Sequence, residues 1–415
     1  MATFKSANFY IDNSRWLVAG FLLTLSSAFG QTFFISIFGS EIRAEYGLTH
    51  GEFGTIYMVA TLASALCFPI VGRLVDVTSV WKCSLLVMSM LALAALSMSL
   101  ISSVWLLVAT IFALRLFGQG MMGHTALTAM GRWYSSNRGK AVSVVSIGHQ
   151  TSEAIVPILF ASIALSFGWR QAWLAAAVYV VAMIPLVVSL MRVERMPAQQ
   201  AAEEGSRNEV GKQWRQGEVL RDPLFWMVCM GVLSPAFIGT SIWFHQDYLI
   251  ELNQWPEQTY YASFSLMAFT TIIVSLITGV LIDRFSAIQM LPFFLIPLAI
   301  ACFVLGTQSA VPAIFVTMFT IGLSYGMSSP IFGALWPEAY GTRYLGAVRS
   351  LVMAFMVFAS AAGPGVTGIL IDLGVSFPRQ LVFIGAYCLI AMVVMIPVSR
   401  QLVARRVAYG WQPAS

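Results

Sequence analysis

Twelve runs of 18 or more mostly apolar residues, parted by short polar breaks, dominate the sequence. About 20 such residues, coiled as a helix, cross about 30 Å of hydrocarbon, and no soluble core takes up a dozen of them. The runs fall near 16–38, 51–71, 83–101, 104–126, 141–165 and 171–191, then near 223–246, 260–282, 288–306, 311–336, 347–371 and 380–399. Charge agrees: a water-facing surface needs about 25% charged residues, whereas this chain of 415 has 10%, so most of its surface meets lipid. The expected fold is an all-α polytopic membrane protein with twelve transmembrane helices.

The long polar stretch at 192–222 separates the sixth run from the seventh. It divides the chain into a first six-helix bundle (1–191), a linker (192–222), a second bundle (223–400) and a tail (401–415). Lys and Arg collect on the cytoplasmic side of membrane proteins. With the N-terminus inside, 19 basic residues, the linker's among them, face the cytoplasm, and only Arg43, Arg170 and Arg379 face outward. The net charge of +5 is therefore a topology signal, and nucleic-acid binding is set aside because no soluble domain carries the basic residues. The first run is about twice the usual signal-peptide core and reads as a permanent helix in the plasma membrane. Cys67, Cys83, Cys229, Cys302 and Cys388 lie in or beside the runs without metal-ligand spacing and read as buried thiols.

The two halves echo each other. Gly72-x-x-x-Asp76 follows the second run and Gly279-x-x-x-Asp283 the eighth, at an offset of 207 residues. Trp133 and Gly139 correspond to Trp336 and Gly346 at offsets of 203 and 207, as expected of a duplicated six-helix unit and two pseudo-symmetric bundles. On these features the chain resembles the major facilitator superfamily. The resemblance implies a cytoplasmic latch, carried here by Asp76, Asp283 and Arg284 as gating residues. The segment Arg132-Trp133-Tyr134…Arg138-Gly139-Lys140-Ala141 is similar to one in the monocarboxylate and oxalate–formate branch, which implies an organic anion as substrate. The eighth run lacks the buried Asp and Arg of monocarboxylate transporters, and the eleventh lacks the Lys of oxalate–formate exchangers. Gly363-Pro364-Gly365-x-x-Gly368 lies in the eleventh run, where it suits close helix packing rather than the fifth-helix motif of drug–proton antiporters.

An ionisable side chain inside a span costs several kcal/mol against lipid and so faces the bundle interior. Arg115 in the fourth run and Glu153 in the fifth qualify. Each lies about 17 Å deep at 1.5 Å per residue, near the midplane. One reading is an ion pair that fastens two helices; the other is a transport site. His149 precedes Glu153 by four residues and shares its helical face, a pattern suited to proton exchange as much as to helix packing. Gln119, Gln150, Gln31 and Tyr325 complete the candidate substrate-binding set, with Arg115 at its centre. His124 is expected at the cytoplasmic mouth, and His245 at the external entrance or in an interfacial aromatic belt.

A catalytic reading needs a nucleophile with its base, or a metal cluster, at fixed spacing, and the sequence has no His-x-x-x-His, Gly-x-Ser-x-Gly or Walker loop. No enzyme, cofactor or metal is expected. The expected function is secondary transport of a small organic anion with a proton, by alternating access, in a monomer surrounded by lipid. Proton-coupled efflux is the alternative, and a non-transporting membrane sensor the alternative of a different class.

Overall fold

In the computed structural model, residues 9–134, 138–193, 212–341 and 344–409 are described, together forming helices joined by short turns. Eleven described helices are long and apolar enough to cross a membrane, and a bent pair makes a twelfth span. In chain order the spans are α1 (Ser14–Gly30 and Thr32–Tyr46), α2 (His50–Val71), α3 (Val80–Leu100), α4 (Val104–Trp133), α5 (Arg138–Phe167) and α6 (Trp169–Met191). There follow α7 (Pro223–Phe244), α8 (Glu257–Phe285), α9 (Ala287–Thr307), α10 (Pro312–Tyr340), α11 (Leu345–Asp372) and α12 (Phe377–Ala408).

These spans meet the twelve apolar runs, with two differences. Several helices outlast their apolar stretch, α12 by reaching Ala408 with Arg405 and Arg406 in its last turn. Backbone hydrogen bonding does not stop where hydropathy does, and basic side chains favour a helix C-terminus. The first span, expected to be one helix, is bent by 47° at Gln31. Gln31 has extended backbone (φ −85°, ψ 153°), and its amide bonds to Ala28 O at 2.9 Å.

Contacts divide the chain into two compact units, Met1–Gly47 with Val59–Ser206, and Leu48–Met58 with Arg207–Ser415. Inside the first, α1 packs on α5 and α3 on α6; inside the second, α7 packs on α11 and α9 on α12. The same pairing recurs because the two halves share a helix-crossing device. A Cβ on Gly148 of α5 would strike the Phe21 carbonyl and the Thr24 hydroxyl of α1. On Gly363 of α11 it would lie 2.6 Å from Phe237 O and 3.1 Å from Thr240 Oγ1 of α7. Glycine opposite Phe-x-x-Thr lets two backbones touch where lipid offers no hydrophobic gain, so van der Waals contact carries the association. Residues 48–58 pack within the second unit: Phe53 and Tyr57 face the Phe244 ring at 4.9 and 4.8 Å, and Gly51 N–H donates to Asp372 Oδ2 at 2.9 Å.

The expected linker is described only in part. Its end forms a short helix, Gln216–Leu220, and leads to Asp222, which caps α7 by accepting Leu224 N–H at 3.2 Å. Asp222 also accepts Tyr340 OH at 2.9 Å and pairs with Arg405 Nη1 at 2.6 Å, tying the ends of α7, α10 and α12 together. Arg405 in turn lies over the Trp214 ring at 4.6 Å.

Candidate functional site

The bend in α1 organises the first unit's polar interior. Gly30 ends its first limb against α4, so closely that a Cβ on Gly118 would lie 2.6 Å from Gly30 Cα. Opposite it, α4 leaves α-helical form and widens into a π-helix over Leu114–Met122. Such segments are rare and frequently mark functional sites, because the altered turn re-aims side chains. Arg115 is in this segment, 1% exposed, and its Nη1 donates to Gly30 O at 3.0 Å and Thr32 Oγ1 at 3.4 Å. The carbonyl released at the break thus binds a charged donor, which is how irregular backbone is tolerated at membrane depth. Behind the bend, Phe29 packs on Phe160 and Tyr179 at 5.3 and 5.5 Å, and Phe34 on Trp173 at 4.8 Å. These aromatic contacts hold the bend's far side.

On α5, His149 Nε2 lies 3.6 Å from Glu153 Oε1. Glu153 is buried and His149 half-buried, and the His149 ring faces Phe33, just past the break, at 6.5 Å between centroids. Arg115 and His149 therefore meet the same stretch of α1, residues 30–33, from α4 and α5. Gln119, Gln150 and Gln31 are all half-buried. The Gln150 Oε1 atom is buried without a hydrogen-bond donor among the described residues.

In the second unit, Tyr325 is half-buried, donates to Pro235 O at 3.1 Å and meets the Trp243 ring edge-on at 5.6 Å. Its neighbour Ser324 turns toward α9 instead, donating to Phe294 O at 2.8 Å. His245 is no exposed belt residue: it is 1% exposed, with Nε2 3.0 Å from Thr367 Oγ1 and 3.3 Å from Pro364 O. The helical backbone breaks at His245 (φ −101°, ψ 26°), where the ring meets α11, a packing choice hydropathy does not record. His124 is half-buried, with Nε2 3.3 Å from Gly72 O.

Of the expected gating residues, Asp76 and Asp283 have side chains outside the described residues. Arg284 is exposed at the end of α8, its guanidinium 5.3 Å from the Phe285 ring centroid. Beside Asp76, Arg132 donates to Val75 O at 3.1 Å, so the α2–α3 turn is fastened to the end of α4.

Sequence reasoning missed Gly30 and Thr32. The available signal was Phe29-Gly30-Gln31-Thr32, a glycine and two polar residues within an apolar run, which is where a membrane helix breaks.

Among the described residues, twelve spans in two units with one pairing scheme and a buried polar interior define a polytopic membrane protein. The family model for the Major Facilitator Superfamily matches residues 20–364 and 246–408, and the chain belongs to this superfamily of transporters. Among solved structures, the fold is similar to a bacterial homologue of the human lysosomal transporter Spinster in its inward-facing, unoccupied form. The TM-score is 0.67 at 14% identity, covering 96% of each chain. The inward-facing, occupied form of that homologue gives 0.66 at 14% identity, covering 97% of this chain and 99% of the other. No curated protein matches the sequence.

Proposed function

We propose that this transporter moves a small organic anion together with a proton, by alternating access of its two units. Arg115 attracts the anionic group, and Glu153 with His149 takes and releases the proton. The observation that carries this reading is the convergence on one bend: a buried guanidinium bound at Gly30 and Thr32, and an imidazole that faces Phe33 and lies 3.6 Å from the Glu153 carboxylate. A carboxyl group beside an imidazole gives a proton two neighbouring stations, and charge arriving nearby changes how tightly they hold it. Anion arrival at Arg115 is such a change, because the guanidinium holds the break in α1 through Gly30 O, three residues before Phe33, whose ring faces His149. Gln31, Gln119 and Gln150 supply neutral donors and acceptors in the first unit, and Tyr325 a hydroxyl in the second. Asp76, Asp283 and Arg284 act as the gating latch. The excess of Lys and Arg on one side supports cytoplasmic termini, with the plasma membrane as the compartment boundary.

The test is transport in proteoliposomes, after a thermal-shift screen of organic acids, sugars, amino acids and drugs has given a ligand. Glu153→Gln should abolish accumulation driven by a pH gradient and retain counterflow, while Arg115→Ala abolishes both. Full gradient-driven accumulation by Glu153→Gln would remove the coupling role. A screen in which sugars or cations bind and organic acids do not would remove the anion.

A further inference from the structure

We infer a binding site for an anionic phospholipid headgroup in the groove between the start of α1 and the end of α6. The groove measures about 480 Å³ and is lined by Ser14, Arg15, Val18, Ser189 and Leu190. Its charged member is anchored at two points. Arg15 Nε donates to Leu190 O and Nη2 to Ser189 O, both at 2.7 Å, so the guanidinium sits on carbonyls at the C-terminus of α6. That position is favourable for a cation by itself, since the last carbonyls carry partial negative charge. Among the described residues Arg15 has no carboxylate partner, and its hydrogen bonds run through Nε and Nη2 alone. Asp12, one turn earlier, is exposed and forms no ion pair with Arg15.

The depth of the groove selects the ligand. Trp16 donates its indole N–H to Val193 O at 2.9 Å, just past the end of α6, and Trp at a span's end sits at headgroup level. Val18, 46% exposed one turn further in, and Leu190 present apolar surface where an acyl chain would begin. The groove therefore offers an oriented guanidinium and the Ser14 hydroxyl at the depth of lipid phosphates, with an apolar floor toward the bilayer core, while the Ser189 hydroxyl donates to Leu186 O at 2.8 Å. Basic pockets between helices at this level suit anionic headgroups, and each nearby cation contributes about 1 kcal/mol, which is about fivefold in affinity.

The experiment titrates purified full-length protein in a neutral detergent with short-chain phosphatidylglycerol, short-chain phosphatidylcholine or inorganic phosphate, following Tm by tryptophan fluorescence. Phosphatidylglycerol should raise Tm saturably, and phosphatidylcholine and inorganic phosphate should not. Arg15→Gln should weaken the apparent affinity at least about fivefold. Because Arg15 also caps α6, Val18→Trp serves as a second variant: it fills the groove from its exposed rim and leaves Arg15 in place, and should abolish the response. Lys82→Gln, an exposed basic residue at the start of α3, should respond as wild type. Unchanged responses in both groove variants, equal responses to the two lipids, or an equal response to inorganic phosphate would each overturn the assignment.

Discussion

Asp222→Ala tests how the second unit is held together at the ends of its helices. Asp222 Oδ2 pairs with Arg405 Nη1 at 2.6 Å and accepts Tyr340 OH at 2.9 Å, while Oδ1 caps α7. The side chains of Arg405 and Asp222 are only 15% and 6% exposed, so water screens the pair little. Removing one partner of a buried pair costs about 3–5 kcal/mol, because the remaining charge stays buried. Losing the cap adds about 1 kcal/mol. Asp222→Asn keeps a good capping oxygen and loses the charge, so it should cost about 1 kcal/mol less than alanine. The double variant Asp222→Ala with Arg405→Ala should be less destabilised than the sum of the singles, with a coupling of about 1–3 kcal/mol. The assay is reversible unfolding in mixed micelles, titrating with a denaturing detergent and following helicity and tryptophan fluorescence. If Asp222→Ala costs less than about 1 kcal/mol, or the coupling is zero within about 0.5 kcal/mol, the buried-pair account is wrong.

Further expectations follow from named contacts. Gly148→Ala and Gly363→Ala should each lower Tm, at about 1–3 kcal/mol from overpacking, whereas Gly123→Ala, where a Cβ meets nothing within 4 Å, should be neutral or stabilising. Thermal scans of the three variants check this, and equal behaviour would refute the crossing device. Thr32→Val removes one acceptor of Arg115 and should weaken counterflow affinity up to about fivefold, the equivalent of about 1 kcal/mol, without the total loss expected for Arg115→Ala. Arg170 donates to Ser99 O and Ile101 O, both at 2.9 Å, and pairs with Glu45, which ties α1, α3 and α6 at one end. Arg170→Ala should therefore cost about 1.5–3 kcal/mol of stability in the same unfolding assay, with transport by the surviving protein unchanged.

The sequence by itself determined the solvent, the class and nearly every span. Hydropathy works here because lipid acts on each residue separately: a run such as 169–191 must be helical and buried in hydrocarbon whatever its neighbours are. The same argument picked out Arg115 and Glu153, since a charge at that depth stands out one residue at a time. The Gly72 and Gly279 repeat announced a duplicated unit. Gly148 opposite Phe21 and Gly363 opposite Phe237 repeat too, but only packing reveals which helix each glycine faces.

Only the tertiary structure decided what those charges touch. Arg115 meets Gly30, 85 residues away, because α1 breaks at Gln31 and α4 widens where the two helices press together. Asp222 finds Arg405 across 183 residues, and His245 turns inward to Thr367 across 122. No periodicity encodes such pairings, since each depends on which helix faces are adjacent. That is a property of side-chain packing across the whole unit, whereas hydropathy is a property of the chain read along its length.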